Sequence, residues 1–370
     1  MNRLRNLYRK FNKSTPQWMV KTKAEMLKEI EALDTEDLTP ARRSFYQYEL
    51  GKSEIKLSIR LVKHLLSLII SPFFVLYSVL HKPSDRIKIK HVIMSHVLEE
   101  VIPESIREEG FLRAPRGYSL LKSDLSFFFE NVFRWAPHKP FYWFNILMKI
   151  AEYRYILNTY DTEEVVTSLE YAFASSVLTD FLERQGVRHV NVQHGDKLFN
   201  LRDSFFYFHK MFLWDNHYMM LFKELKAQID RVDIELPPML QSSVEADPDH
   251  DWTYYTQMDD EEDYQRLKPF LKSIKGVHMR VHPRYGNKRF VEEIFGLPIE
   301  HYIDIETSLS RTRGVIGIYS TVLYQGYLLG KEVLLDDLSN PTLFERLKGV
   351  DYLLIEKECQ TLSEYLGVKQ

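Results

Sequence analysis

LEYAFASSVLTDFLERQGVRHVNVQHG, residues 169–195, is the stretch on which the reading of the whole chain turns. Its apolar residues recur at spacings of three and four as far as Leu182, the period of one helix face. Gly186 stands where a left-handed C-cap belongs, so 169–186 is expected to be one helix. From Val187 the period changes. VRHVNV is a β-branched run that ends in Gln193-His194-Gly195-Asp196, a strand entering a glycine turn. EVVTS, 164–168, reads as a strand before this pair. HKMFLWD, 209–215, reads as a strand after it, followed by a helix over 217–228. Strand, helix, strand, helix in this order predicts an α/β fold with a parallel sheet wrapped by helices.

The same alternation resumes further on. LPPMLQSSVEADPDHD begins at Leu236 and carries prolines, serines and acids without periodicity, so 237–251 is read as a linker. Beyond it, WTYYTQ, GVHMRVHP, GVIGIYS and EVLLD read as strands. Helices are expected over 261–274, 288–295 and 321–329. The predicted organisation is a helical extension over 1–85, a Rossmann-like domain over 86–236, the linker, a second Rossmann-like domain over 252–350 and a helical tail over 351–370. A chain of 370 residues suits two such cores. Two doubly wound domains on one chain are expected to face a cleft at the carboxyl ends of their strands, where helix N-termini collect anions.

The composition narrows the function. The formal net charge is −3, which implies no global field toward nucleic acid. Arg3, Arg5, Arg9, Lys10, Lys13, Lys21 and Lys23 precede the first acid, Glu25, and form a basic arm that suits either solvent or anionic lipid. Cys359 is the only cysteine, so no disulfide forms within the chain and a reducing compartment is expected. No secretory signal pattern is visible at the N-terminus. LLSLIISPFFVLYSVL, 65–80, is apolar almost all round and interrupted by Pro72, with cations on both flanks. Two readings stay open for it: a buried helical hairpin broken at Pro72, or a segment lying in one membrane leaflet. IKIKHVIMS, 87–95, reads as a single strand.

Three predicted strand ends carry residues suited to chemistry. The first is Gln193 to Lys197. His194 is a candidate general base with Asp196 as a carboxylate neighbour, Gly195 allows close approach to the backbone, and Gln193 and Lys197 flank the acceptor position. The second is Arg280, His282 and Arg284 with Lys288 beyond, where Pro283 stops the strand and an imidazole stands among cations suited to phosphate. The third is Gly317, Tyr319, Ser320 and Thr321, a buried strand that delivers two hydroxyls to a helix start. Taken singly, each is also what an ordinary capped strand end looks like. Together they divide into a base in the first domain and anion binders in the second, as transfer from a nucleotide-activated donor requires. FRWAPHKPFYWF, 133–144, reads as core or as a platform for sugar rings.

At these residues the chain resembles the bacterial surface-polysaccharide glycosyltransferases of the GT-B fold, a group that includes capsule and lipooligosaccharide sialyltransferases and teichoic-acid glycerophosphotransferases. His282-Pro283, Ser320-Thr321, Tyr324 to Gly330 and KEVLLDD are similar to their donor-binding half, and His194-Gly195 is similar to the His-Gly motif of the glycerophosphotransferases. The resemblance covers roughly 160–340. It implies a metal-independent transferase with no cofactor beyond its co-substrate, moving a sugar from a CMP- or CDP-linked donor to a hydroxyl of a surface polysaccharide or lipid-linked glycan. It implies Gln325 at the ribose, where many such enzymes have glutamate. The sialyltransferases' acid-acid-glycine base has its letters here only at Glu108-Glu109-Gly110, far upstream. The expected setting is cytoplasmic, at the inner face of the membrane. The alternatives are a polyol-phosphate transferase of the teichoic-acid type and an inactive GT-B-like binding or assembly protein.

Overall fold

The structure, a computed structural model, describes residues 16–81, 86–241, 247–257, 260–282, 286–300 and 304–368. Arg284, Lys82, the basic arm up to Lys13 and the middle of the expected linker lie outside the described residues. The chain forms two compact units. One comprises 1–194 and 199–237; the other comprises 195–198 and 238–370.

The first unit opens with helices α1 (Lys23–Glu31), α2 (Pro40–Gly51) and α3 (Leu57–Leu80). Thr22 and Glu25 cap α1 reciprocally. Thr39 caps α2, whose first residue is Pro40. Then come β1 (Ile87–Lys88), β2 (His91–Ile93), α4 (Glu104–Glu109), β3 (Phe111–Arg113), α5 (Lys122–Phe128) and α6 (Pro140–Thr159). The unit closes with β4 (Tyr160–Asp161), β5 (Glu164–Thr167), α7 (Ser175–Glu183), β6 (Arg188–Val192), β7 (Tyr207–Leu213), α8 (Asn216–Glu224) and β8 (Gln228–Ile234). Six strands pair in parallel in the order β3-β2-β5-β6-β7-β8. From β2 the chain moves outward to β3 and then returns to β5 on the other side. The strand order therefore reverses between β2 and β5, the place where open α/β sheets bind ligands. β5 and the interior of β6 are buried, which suits the β-branched Val165, Val166, Val190 and Val192.

The second unit contains α9 (Pro238–Gln241), β9 (His250–Tyr255), α10 (Glu261–Ser273), β10 (Val277–Arg280), α11 (Lys288–Phe295) and α12 (Ile305–Arg311). β11 (Thr312–Gly317), α13 (Thr321–Leu328), β12 (Glu332–Leu335), α14 (Pro341–Lys348), α15 (Leu353–Glu356) and α16 (Leu362–Leu366) follow. Its sheet is also all parallel, in the order β10-β9-β11-β12, with the reversal between β9 and β11. The core gathers Tyr254, Leu267, Met279, Phe295, Ile316 and Leu334. The α/β expectation, two parallel sheets wrapped by helices, is what the structure has.

Several elements differ from the sequence reading. The expected helix over 169–186 begins only at Ser175, because residues 169–174 form a loop pinned by Asn191, whose side chain accepts from the Leu169 N–H at 2.8 Å. Gly186 does take the left-handed conformation, φ +73°, and the Val187 N–H closes the helix end on the Leu182 carbonyl. IKIKHVIMS splits between two sheets, β1 pairing with β4 and β2 with β3 and β5. The helix expected over 217–228 stops at Glu224, and β8 was not foreseen: it is a sheet edge carrying Asp230, Arg231 and Asp233, without an apolar alternation to betray it.

The N-terminal helices are not an appendage. Gln47 of α2, 1% exposed, donates to the carbonyls of Glu170 and Arg202, both at 2.8 Å. The C-terminal residues likewise belong to the second unit: Leu353, Leu354 and Leu362 are buried, and Ser363 hydrogen-bonds Asp337. Pro72 does not break a hairpin. α3 is one helix of 24 residues, and the carbonyl of Leu68, which would have met the N–H that proline lacks, accepts instead from the Ser71 hydroxyl at 3.4 Å.

Candidate functional site

The carboxyl ends of β2, β5 and β6 meet at the reversal point of the first sheet. His96 follows β2, and its Nε2 lies 2.9 Å from Thr167 Oγ1 at the end of β5. Burial, assisted by the nearby charges of Lys149, His194 and Arg116, pushes the His96 imidazole down to about 4, so it is neutral at physiological pH. The loop after β5 carries Glu170 and Tyr171. Glu170 is wholly buried. One of its oxygens, Oε2, accepts from Asn191 Nδ2 at 3.1 Å, and Oε1 lies 3.3 Å from His194 Nδ1. That approach is close enough for an ion pair but falls short of hydrogen-bond alignment. The His194 side chain keeps about a third of its surface open to solvent. Tyr171 meets the imidazole edge-on at 5.8 Å, and the Arg202 guanidinium lies over the other ring at 5.1 Å.

His194 is thus a partly open imidazole with a buried acid 3.3 Å behind it, an arrangement that orients the ring. The acid beside it is Glu170, which the sequence reading had placed inside a helix. The residue paired with His194 on sequence grounds, Asp196, belongs to the second unit, where it is buried and its backbone carbonyl accepts from the Tyr319 hydroxyl at 3.3 Å. Gln193, expected at the acceptor position, is 1% exposed and ties β6 to β7: its N–H donates to Phe212 O and its Oε1 accepts from the Trp214 N–H. Lys197 is buried in the second unit. A carboxylate two residues past the strand EVVTS was the available signal for Glu170; the apolar helix period running through it hid that signal.

In the second unit the expected anion binders sit at the carboxyl edge, on both sides of the reversal. His282 follows β10, and its N–H donates to Thr256 Oγ1, just past β9, at 3.1 Å. Ser320 and Thr321 follow β11. One strand separates the two groups, so they stand on the order of 10 Å apart. Ser320 is the N-cap of α13 but makes no capping bond with its side chain. Gly317 lets β11 lie close to β9, since a Cβ there would stand 3.2 Å from the Tyr255 carbonyl. Tyr319 packs edge-on against Tyr352 at 5.3 Å, and Gly195 lies beside Thr321.

Other expected members are engaged elsewhere. Arg280 NH1 is 3.4 Å from Oε2 of the buried Glu300, and its side chain is only 16% exposed. Lys288 pairs along its own helix with Glu292. Gln325 is buried and donates its amide to the Met239 carbonyl, so in this conformation it does not present that amide to a ribose. Asp336 is buried and accepts from the Leu338 and Ser339 N–H groups, while Asp260 caps α10. Within 133–144, Tyr142, Trp143 and Phe144 are core and Trp135 is exposed.

A cavity of about 310 Å³ in the first unit opens at the amino-terminal ends of β2, β5 and β6. Its cations each face a carboxylate: His91 bridges Glu109 and Glu164 at 2.6 and 3.0 Å, Arg188 pairs with Glu164 and Lys210 with Asp233. A ligand there would have to displace ion pairs, whereas the carboxyl rim presents a backed imidazole. The rim is therefore the better candidate.

No family model matches the chain, and no curated protein matches it. Among solved structures, the chain is similar to the glycosyltransferase SnogD from Streptomyces nogalater, at 11% identity over 71% of this chain and 86% of that one, with a TM-score of 0.32.

Proposed function

We propose that the protein is a glycosyltransferase of GT-B type that moves a sugar from a nucleotide-activated donor, CMP- or CDP-linked, to a hydroxyl of a surface polysaccharide or lipid-linked glycan. The observation that carries this reading is His194 at the sheet's reversal point with the buried Glu170 carboxylate 3.3 Å behind it. In the reaction His194 takes the proton of the acceptor hydroxyl through the ring nitrogen turned away from Glu170. The acceptor oxygen bonds to the anomeric carbon as the bond from that carbon to the nucleotide phosphate breaks. Glu170 stabilises the imidazolium that results. The phosphate leaves with an added negative charge, and His282, Ser320, Thr321 and the N-terminus of α13 are the groups of the second unit suited to an anion of that kind. The preference for cytidine donors rests on the sequence resemblance alone. The reading assigns no metal or cofactor, so EDTA should leave the rate unchanged.

The test is a thermal-shift series with CMP, CDP, UDP, GDP and ADP on the wild type and on His282→Ala. One nucleotide should raise the melting temperature and lose that effect in the variant. If no nucleotide stabilises the wild type, the donor site is not where it is assigned. The His194-Gly195 pair keeps a second reading in view, polyol-phosphate transfer. Its signature is activity with CDP-glycerol in which the phosphate stays with the acceptor. A nucleotide response without turnover of any donor would favour the inactive binding protein.

A further inference from the structure

α3 is built the wrong way round for a helix in water. A surface helix of a soluble protein turns its apolar side inward. Here the inward stripe is His64, Ser67, Ser71, Phe74 and Ser78, with Ser67 and Ser78 buried. The outward side is a continuous ridge: Leu61, Leu65, Leu68, Ile69, Phe73 and Leu76 are each 52–71% exposed. An apolar strip along a helix about 36 Å long exceeds what soluble monomers leave in water.

The charges beside this ridge have one sign. No acid occurs from Ile55 to Ser84, while Lys56 and Arg60 stand at the start of the helix and His81 at its end. Trp135 and Phe129, 44% and 53% exposed, lie in the segment before α6, whose first turn packs on the His64 end of α3: the Phe141 N–H donates to His64 Nδ1 at 3.1 Å. Exposed aromatics beside cations, next to an apolar ridge, match the layering of a membrane interface.

We infer that α3 is an in-plane membrane anchor that sinks its outward ridge into one leaflet of an anionic bilayer. The in-plane orientation follows from how the helix is held. Besides the His64 contact, Phe74 meets Tyr118 and Phe144 at 5.1 and 5.6 Å, the Leu120 N–H donates to the Ser78 carbonyl at 3.0 Å, and His81 stacks on Tyr155 at 5.9 Å. A helix tied to the same folded unit at its start, middle and end lies along that unit. To cross the bilayer it would have to give up these contacts. The anchor stands independently of the catalytic reading.

The experiment is flotation of the full chain with vesicles of phosphatidylcholine alone or mixed with phosphatidylglycerol. The comparison is a Leu65→Gln, Ile69→Gln, Phe73→Gln triple variant, whose changes lie on one exposed stripe and should leave its melting temperature at or above that of the wild type. The wild type is expected to float, more strongly with the anionic lipid, and the triple variant to lose more than about tenfold in partitioning. Lys56→Gln with Arg60→Gln should abolish the preference for anionic vesicles while leaving the binding to neutral ones. Failure of the wild type to float with either lipid, or equal flotation of the folded triple variant, would overturn the inference. So would a wild-type dimer that the triple variant dissolves while neither floats, since the ridge would then be covered by a second copy. Wild-type protein that stays in cell membranes through alkaline carbonate extraction would overturn the in-plane orientation in favour of a span.

Discussion

Each unit holds a basic side chain against a buried glutamate at the carboxyl edge of its sheet, His194 on Glu170 in the first and Arg280 on Glu300 in the second, at 3.3 and 3.4 Å. The distances are nearly the same, although only the arginine pair is aligned as a hydrogen bond, and the consequence is opposite. Arginine keeps its proton at any pH a protein meets, so Glu300 simply neutralises it. Burial works to raise the Glu300 carboxyl, but hydrogen bonds from His250 and Ser308 and the Arg280 charge outweigh it and hold the group ionised. The Arg280 cation is consumed inside the fold. Histidine side chains in general can take and release a proton near neutrality, and the proposed role of His194 as base asks of Glu170 that it hold the ring in place. A cation at a strand end is therefore not yet a ligand-binding cation; what stands behind it decides.

The largest test of this contrast is on the rate. His194→Ala should lower transfer about 10³-fold while leaving the nucleotide-induced thermal shift intact. Glu170→Gln should cost about 10²-fold, and Asp196→Asn less than about tenfold, measured as kcat/KM on the same donor. If the last two come out reversed, Asp196 is the partner and the pairing seen here is structural. On the arginine side the effect should fall on stability. Arg280→Gln strands Glu300 as a buried charge with less compensation, lowering unfolding stability by about 2 kcal/mol in urea titration. Loss of nucleotide response without loss of stability would instead make Arg280 a donor contact.

The smallest effect expected is on pH. The unfolded chain protonates His96 near 6.5, whereas the folded site resists until about 4. The unfolded state thus binds more protons between these values, and stability falls as pH drops from 6.5 toward 4. The loss should be about 1–2 kcal/mol, allowing for the part of the ring that solvent reaches. His96→Gln should flatten this limb of the melting-temperature profile, and an unchanged slope would place the acid sensitivity elsewhere.

The sequence was most legible where a residue's role is local. The change of period at Val187 marked β6, the glycine at 186 marked the end of α7, and the Ser320-Thr321 pair marked the start of α13. Each depends on neighbours a few residues away. β8 escaped because an edge strand needs no apolar alternation, and the start of α7 was misplaced because its first six expected residues have a helical period but are held as a loop by Asn191 from another strand.

By itself, then, the sequence determined the alternation of strands and helices and with it the parallel α/β class, because periodicity, caps and breakers act over short distances along the chain. Only the tertiary structure decided which acid backs His194, that Arg280 is held by Glu300, and that the apolar side of α3 faces outward. Those are pairings between residues far apart in the chain, or choices of face, and they are settled by which surfaces the folded units bury.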